Sequence, residues 1–111
     1  MTEGEDETIG FRMQLREGCQ DEYRRRHDAI WPELVDELYA AGIREYRIFW
    51  DPGNNCLFAS IRRSRNHTMD RLPESAVVRR WWSMMADLMM TEPDLAPSVT
   101  ELQQVFRLGA Q

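Results

Sequence analysis

A proline set inside a long amphipathic stripe constrains this chain more than any other feature. Cys19, Tyr23, His27, Ile30, Trp31, Leu34 and Leu38 recur at helical spacing, so they share one face. Arg24, Arg25, Asp28, Glu33 and Asp36 fall largely on the other side. The pattern predicts a helix from about Gln20 to Ala41, with Gly42 placed for its C-terminal cap. Pro32 removes a backbone donor inside that span, which predicts a kink or break near Ile30 and Trp31. The inward stripe is mostly apolar, yet it carries a phenol at Tyr23 and an imidazole at His27. Residues four apart are neighbours on a helix surface. A core-facing histidine is either a satisfied structural group or the acid–base group of a pocket, and the rest of the chain has to distinguish these.

The flanking segments read as strands and a second helix. Ile9, Phe11, Met13 and Leu15 point one way along an alternating run, the signature of a strand. The acidic residues before Thr8 predict a disordered lead, residues 1–7, in front of a single domain at 8–111. Glu45 to Trp50 is a second strand with Tyr46, Ile48 and Trp50 on one face. Asp51-Pro52-Gly53-Asn54-Asn55 is dense in turn formers and predicts a hairpin loop. The third strand runs from Cys56 to Arg62, with Leu57, Ala59 and Ile61 on one face and Phe58 on the other. Within the polar segment Arg63 to Arg71 a short helix is expected before Pro73. Helical spacing returns from Glu74 to Met90 through Val77, Val78, Trp81, Met85 and Leu88. Thr91 to Ser98, with two prolines, is a long loop for so small a domain, and such loops are often functional. Glu101 to Leu108 is expected to close the chain as a fourth strand, with Leu102, Phe106 and Leu108 on one face. The order β-α-β-β-α-β predicts an α+β, ferredoxin-like fold: an antiparallel sheet with both helices on one face. Phe49 and Phe58 make the second face apolar as well, which predicts pairing of two sheets into a homodimer, a dimeric α+β barrel.

Charge and composition exclude several chemistries. All 14 basic residues are arginine, so a Schiff-base or pyridoxal-phosphate lysine is ruled out, as is a P-loop lysine. A net charge of −5 argues against nucleic acid as a partner. Arg24-Arg25-Arg26 is flanked by acids and reads as a solvated helix face. Cys19 and Cys56 are far apart, and the two histidines form no cluster with them, so neither a disulfide scaffold nor a metal site is expected. No apolar run approaches the ~20 residues of a membrane span, and the acidic start is unlike a secretory signal. A cytoplasmic location is the default.

The aromatic residues suggest the ligand. Adjacent helix residues point about 100° apart, so with Trp81 central in the apolar stripe Trp82 lies on its flank. An indole there lines a cleft or an interface. Tyr23 and Tyr46 are core aromatics, or phenols that reach a polar ligand. A pocket of indoles, phenols and one imidazole, with no lysine, suits a neutral, hydroxyl-rich small molecule. His67, in a polar stretch, is expected to be exposed.

Arg25-Arg26-His27-Asp28-Ala29-Ile30-Trp31-Pro32-Glu33-Leu34 closely resembles the signature of the L-rhamnose mutarotase family. So do Arg80-Trp81-Trp82-Ser83-Met84-Met85, and Pro93-Asp94 followed by Pro97 and Glu101-Leu102-Gln103-Gln104-Val105-Phe106. The resemblance covers about Ile9 to Leu108. It departs where Asp28 replaces a common asparagine and Thr100 a common serine. It implies a cytoplasmic, dimeric, cofactor-free epimerase acting at the anomeric carbon of a monosaccharide. By resemblance, His27 takes the proton-donor position, and Tyr23, Tyr46, Trp81 and Trp82 take substrate-contact positions. Dimeric α+β barrels also include small cofactor-independent monooxygenases and non-catalytic ligand-binding modules, which form the competing reading.

Overall fold

The computed structural model describes residues 5–109. Four strands form one antiparallel sheet in the order β2-β3-β1-β4, with β1 at Asp6–Gln14, β2 at Ile43–Asp51, β3 at Cys56–Ser64 and β4 at Thr100–Leu102. Three α-helices, α1 at Gln20–Asp28, α2 at Pro32–Ala40 and α3 at Ala76–Met85, fill the two helical positions of the ferredoxin-like order. The core lies between them and one sheet face, where Met13, Leu15, Leu57 and Ala59 meet Leu34, Val78, Trp81 and Met85.

The proline does what its position predicts. Pro32 opens α2 at its first position, where a missing N–H costs nothing. Trp31 before it is extended, at φ −70° and ψ 133°, because the ring of a following proline excludes the helical region. The expected single helix is therefore two. Gly42 follows α2 at φ +100°, and its N–H donates to the Tyr39 carbonyl at 3.0 Å. The turn is crowded: a Cβ on Gly42 would lie 2.7 Å from Ser64 Oγ and 3.0 Å from the His67 backbone.

Several boundaries differ from expectation, each for a physical reason. Strand β1 begins at Asp6, inside the expected disordered lead, because arginines wait across the ladder. Asp6 meets Arg62 at 2.6 Å and Glu7 meets Arg63 at 2.7 Å. Residues 1–4 of that lead lie outside the described residues. The short helix expected within Arg63 to Arg71 forms later, as a 3-10 helix over Met69–Glu74 that includes Pro73. His67 is not exposed: its Nδ1 accepts from the Met69 N–H at 3.1 Å and starts that turn. Helix α3 ends at Met85, and a 3-10 turn at Ala86–Leu88 follows. The backbone is then captured by the end of β1, through Arg16 N–H to Leu88 O at 2.8 Å and Met90 N–H to Gln14 O at 3.0 Å.

The largest correction concerns the fourth strand. It pairs only with Gly10, Phe11 and Arg12, and the expected continuation to Leu108 carries no ladder. Val105, Phe106 and Leu108 are 94%, 75% and 89% exposed. The chain itself offers these side chains no apolar cover, so nothing offsets the entropy of ordering a longer strand.

The Gly42 turn generates a stability prediction. Gly42→Ala should destabilise the domain by about 1–2 kcal/mol from backbone conformation alone, with the Ser64 clash adding to it. Urea unfolding of both proteins measures the difference, and an unchanged midpoint would contradict this role of the turn.

Candidate active site

The break at Trp31 sets the site. Helix α1 carries Tyr23 and His27 one turn apart, and their ring centroids lie 4.3 Å apart at 32°. His27 Nδ1 is 3.1 Å from the Tyr23 carbonyl oxygen. A carbonyl only accepts, so Nδ1 holds the proton and Nε2 keeps the lone pair. Trp81, buried on α3, presents edge contacts to His27 at 5.3 Å and to Trp31 at 5.1 Å. The indole of Trp81 is thus wedged between the two sides of the helix break. Trp82 sits on the flank of α3, half-buried against the core. Tyr46 projects from the helix-facing side of β2, with its ring 6.4 Å from Phe11.

All five residues singled out from the sequence line one open cavity of about 810 Å³. Ile30, Leu34 and Leu38 form its helical wall, and Ile48 and Trp50 continue its strand wall beside Tyr46. The lining is mostly apolar with a few polar groups, the usual make-up of a small-molecule site.

Burial sets the protonation states. His27 is pushed below its ordinary value of 6.5 by burial, against the opposing pull of the Tyr23 carbonyl and the Asp28 charge. It is neutral at physiological pH. The Tyr23 phenol is raised by burial, and by the neighbouring Tyr46. Tyr46 opens to the cavity yet is ringed by protein, and burial pushes its phenol up to about 12. Both tyrosines therefore stay protonated and can donate. The site offers one neutral imidazole and two phenols against indole faces.

Comparison with known proteins identifies the family. The sequence model of the L-rhamnose mutarotase family matches residues 8–108. The chain belongs to the L-rhamnose mutarotase family. It is 55% identical over 104 residues to the L-rhamnose mutarotase of Paraburkholderia phytofirmans, spanning 94% of this chain and 97% of that protein. Identity to the L-rhamnose mutarotase of Burkholderia orbicola is 57% over 102 residues, 92% of this chain and 98% of that protein. The crystal structure of an L-rhamnose mutarotase from Formosa agariphila superposes at a TM-score of 0.85, with 38% identity, over 93% of this chain and 99% of that one. The oxygenase and binding-module readings are not favoured.

Beside this cavity, Arg26 departs from the solvated helix face expected of it. Arg24 and Arg25 are exposed, as a solvated helix face requires, but Arg26 reaches inward. Its guanidinium donates to the Met84 carbonyl at 2.6 Å, to Asp87 at 2.9 Å and to Glu22 at 2.8 Å. It places a cation at the C-terminal end of α3, where carbonyls lack helical partners. The contact ties the helix of His27 to the helix of Trp81 and Trp82. The one available signal was position: Arg26 lies three residues after Tyr23, one turn along the same helix. Trp31, read only as core, also belongs to the site through its contact with Trp81.

Arg26→Ala should lower the melting midpoint by several degrees and alter the near-ultraviolet dichroism of the tryptophans. Arg24→Ala, on the exposed face of the same helix, should change neither. Equal effects from the two variants would show that Arg26 is not a clamp.

Proposed function

We propose that this protein is an isomerase that interconverts the α and β anomers of L-rhamnose by acid–base ring opening and closure. The observation that carries this reading is the neutral His27 imidazole, held at Nδ1 and facing a cavity of indoles and phenols. Nε2 of His27, unprotonated in the resting site, accepts the proton from the C1 hydroxyl as the bond between C1 and the ring oxygen breaks, so the proton-donor role that the resemblance implies falls to its imidazolium on ring closure. The ring oxygen receives a proton from a phenol, Tyr23 or Tyr46, or from a water held by one of them. The open aldehyde turns about its bond to C2, and the ring oxygen attacks the opposite face of C1, giving its proton back to the phenol or water that had supplied it. The imidazolium then returns its proton to the C1 oxygen. Nothing is oxidised, and no covalent intermediate or cofactor is needed. Trp81 and Trp82 supply apolar faces for the sugar's C–H surface, and the tyrosines hold its hydroxyls.

The protein acts as a homodimer in the cytoplasm. Phe49 is 58% exposed on the outer sheet face, directly opposite Phe58 on the neighbouring strand, and Phe106 and Leu108 after β4, beyond the other edge of the sheet, are exposed as well. A second copy covering these side chains would remove their apolar surface from water. Free thiols at Cys19 and Cys56 accord with a reducing compartment. No helix among the described residues is long and apolar enough to cross a membrane.

His27→Asn should stay folded and slow catalysed anomer exchange by about 10²–10⁴-fold, as read by proton exchange spectroscopy on L-rhamnose. The catalytic form is the neutral imidazole, so wild-type exchange should be level at neutral pH. It should fall as pH drops through a midpoint below 6.5, with the spontaneous rate subtracted. A folded His27→Asn protein exchanging at the wild-type rate would shift the role to Tyr23 or Tyr46.

Sedimentation at micromolar concentration should give a dimer. A sole species at the chain mass of 13.2 kDa would remove the homodimer from this reading.

A further inference from the structure

Beside the main cavity lies a second recess of about 50 Å³. It shares four residues with the large cavity, Tyr23, His27, Trp81 and Trp82, which stand between the two. Its floor is Met13, Met85 and Met89, all buried. Its outer wall is Leu95 and Pro97, from the loop between α3 and β4. The recess is too small for a pyranose ring, but it has room for one substituent of such a ring.

We propose that this recess is a methyl subsite: it takes the C6 methyl group of a 6-deoxyhexose, and Leu95 is the residue that sets that specificity. The inference rests on the mutarotase reading and extends it. Ring opening requires C1 and the ring oxygen to sit at His27. In a pyranose, C6 is two bonds from that oxygen and three from C1. A sugar held for reaction therefore has its C6 beside His27, where the recess begins.

The chemistry of the wall separates a methyl from a hydroxymethyl group. The phenol and imidazole stand on the side shared with the large cavity, and the far side of the recess, made of three thioethers, a leucine and a proline, presents no side chain that binds a hydroxyl strongly. The backbone donors at and next to the two lining loop residues are already used. Leu95 N–H donates to Glu92 O at 2.8 Å, Ala96 N–H to Asp94 Oδ1 at 3.1 Å, and Ser98 N–H to Met90 O at 3.0 Å, while Pro97 has none. A C6 hydroxyl would lose water and gain no full replacement.

Leu95 is also held there against its own preference. Its φ is +73°, a region leucine rarely occupies. The loop enforces it with Glu92 N–H to Ala96 O at 2.8 Å and Ser98 Oγ to Glu92 Oε2 at 2.6 Å. Backbone strain of this kind persists where surrounding structure over-determines it, and here it holds an exposed-loop leucine at the mouth of the recess.

The test is anomer exchange of three sugars: L-rhamnose, L-mannose with a hydroxyl on C6, and L-lyxose with no C6. The wild type should favour L-rhamnose over each by about tenfold or more in kcat/KM. Leu95→Ala opens the recess and should raise the L-mannose to L-rhamnose ratio by about tenfold. Leu95→Phe fills it and should bring L-rhamnose down to the L-lyxose level. Melting curves on the same samples confirm that both variants are folded, and the wild-type comparison stands without them. If the wild type treats the three sugars alike, or both folded variants keep its ratios, the subsite is overturned while the mutarotase reading survives. If the wild type accelerates exchange of none of them, the mutarotase reading fails and the subsite falls with it.

Discussion

The turn between Trp31 and Pro32 is the constraint on which the site depends. An unbroken helix from Gln20 to Ala40 would carry Tyr23, His27, Ile30 and Leu34 on a single straight ridge. Such a ridge packs on a sheet and leaves little space beneath it. The proline lets α1 and α2 take separate directions and leaves Trp31 extended at the corner. Trp31 then meets Trp81 from one side while His27 meets it from the other. One indole thus fixes the corner, the position of the imidazole and the wall of the cavity.

Arg26 joins the same corner to the far end of α3. Its three partners come from α1, from the last turn of α3 and from the 3-10 turn beyond. Met84 lies in the last turn of α3, where helix carbonyls run out of α-helical donors, so a cation supplies what a helix end lacks. His27 is the next residue in sequence and points to the adjoining face. The clamp and the proposed acid–base group are therefore placed by the same turn of helix.

Periodic patterns exposed much of this fold, and contacts between distant segments hid the rest. The apolar alternations of β1, β2 and β3 and the stripes of α1 to α3 were legible because each answers to one local period. The five residues around the cavity were legible because polar or bulky aromatic side chains stood on otherwise apolar faces. What was not legible depends on partners far along the chain. Asp6 and Glu7 look like a solvated lead until Arg62 and Arg63 lie opposite them. Arg26 looks like its two neighbours until Met84 and Asp87 arrive. Residues 103–108 alternate like a strand, but a period does not supply a neighbour to pair with or a surface to cover Phe106.

The modesty of the proposed chemistry explains how so small a chain can house it. A domain of this size has a small core and a narrow margin of stability. Burying an ion pair there would demand desolvation that further hydrogen bonds must offset. A neutral imidazole and two neutral phenols avoid that demand, since each needs only a hydrogen bond when buried. Among the described residues, no buried side-chain nitrogen or oxygen lacks a partner. The same burial that lowers the His27 pKa keeps its base form available, and the same burial that raises the tyrosine values keeps them as donors. Anomer exchange needs one proton removed and one delivered, with no strong nucleophile and no charge held in the resting site. The reaction and the core therefore make the same request of these three side chains: to stay neutral, whether buried as Tyr23, half-buried as His27 or open to the cavity as Tyr46.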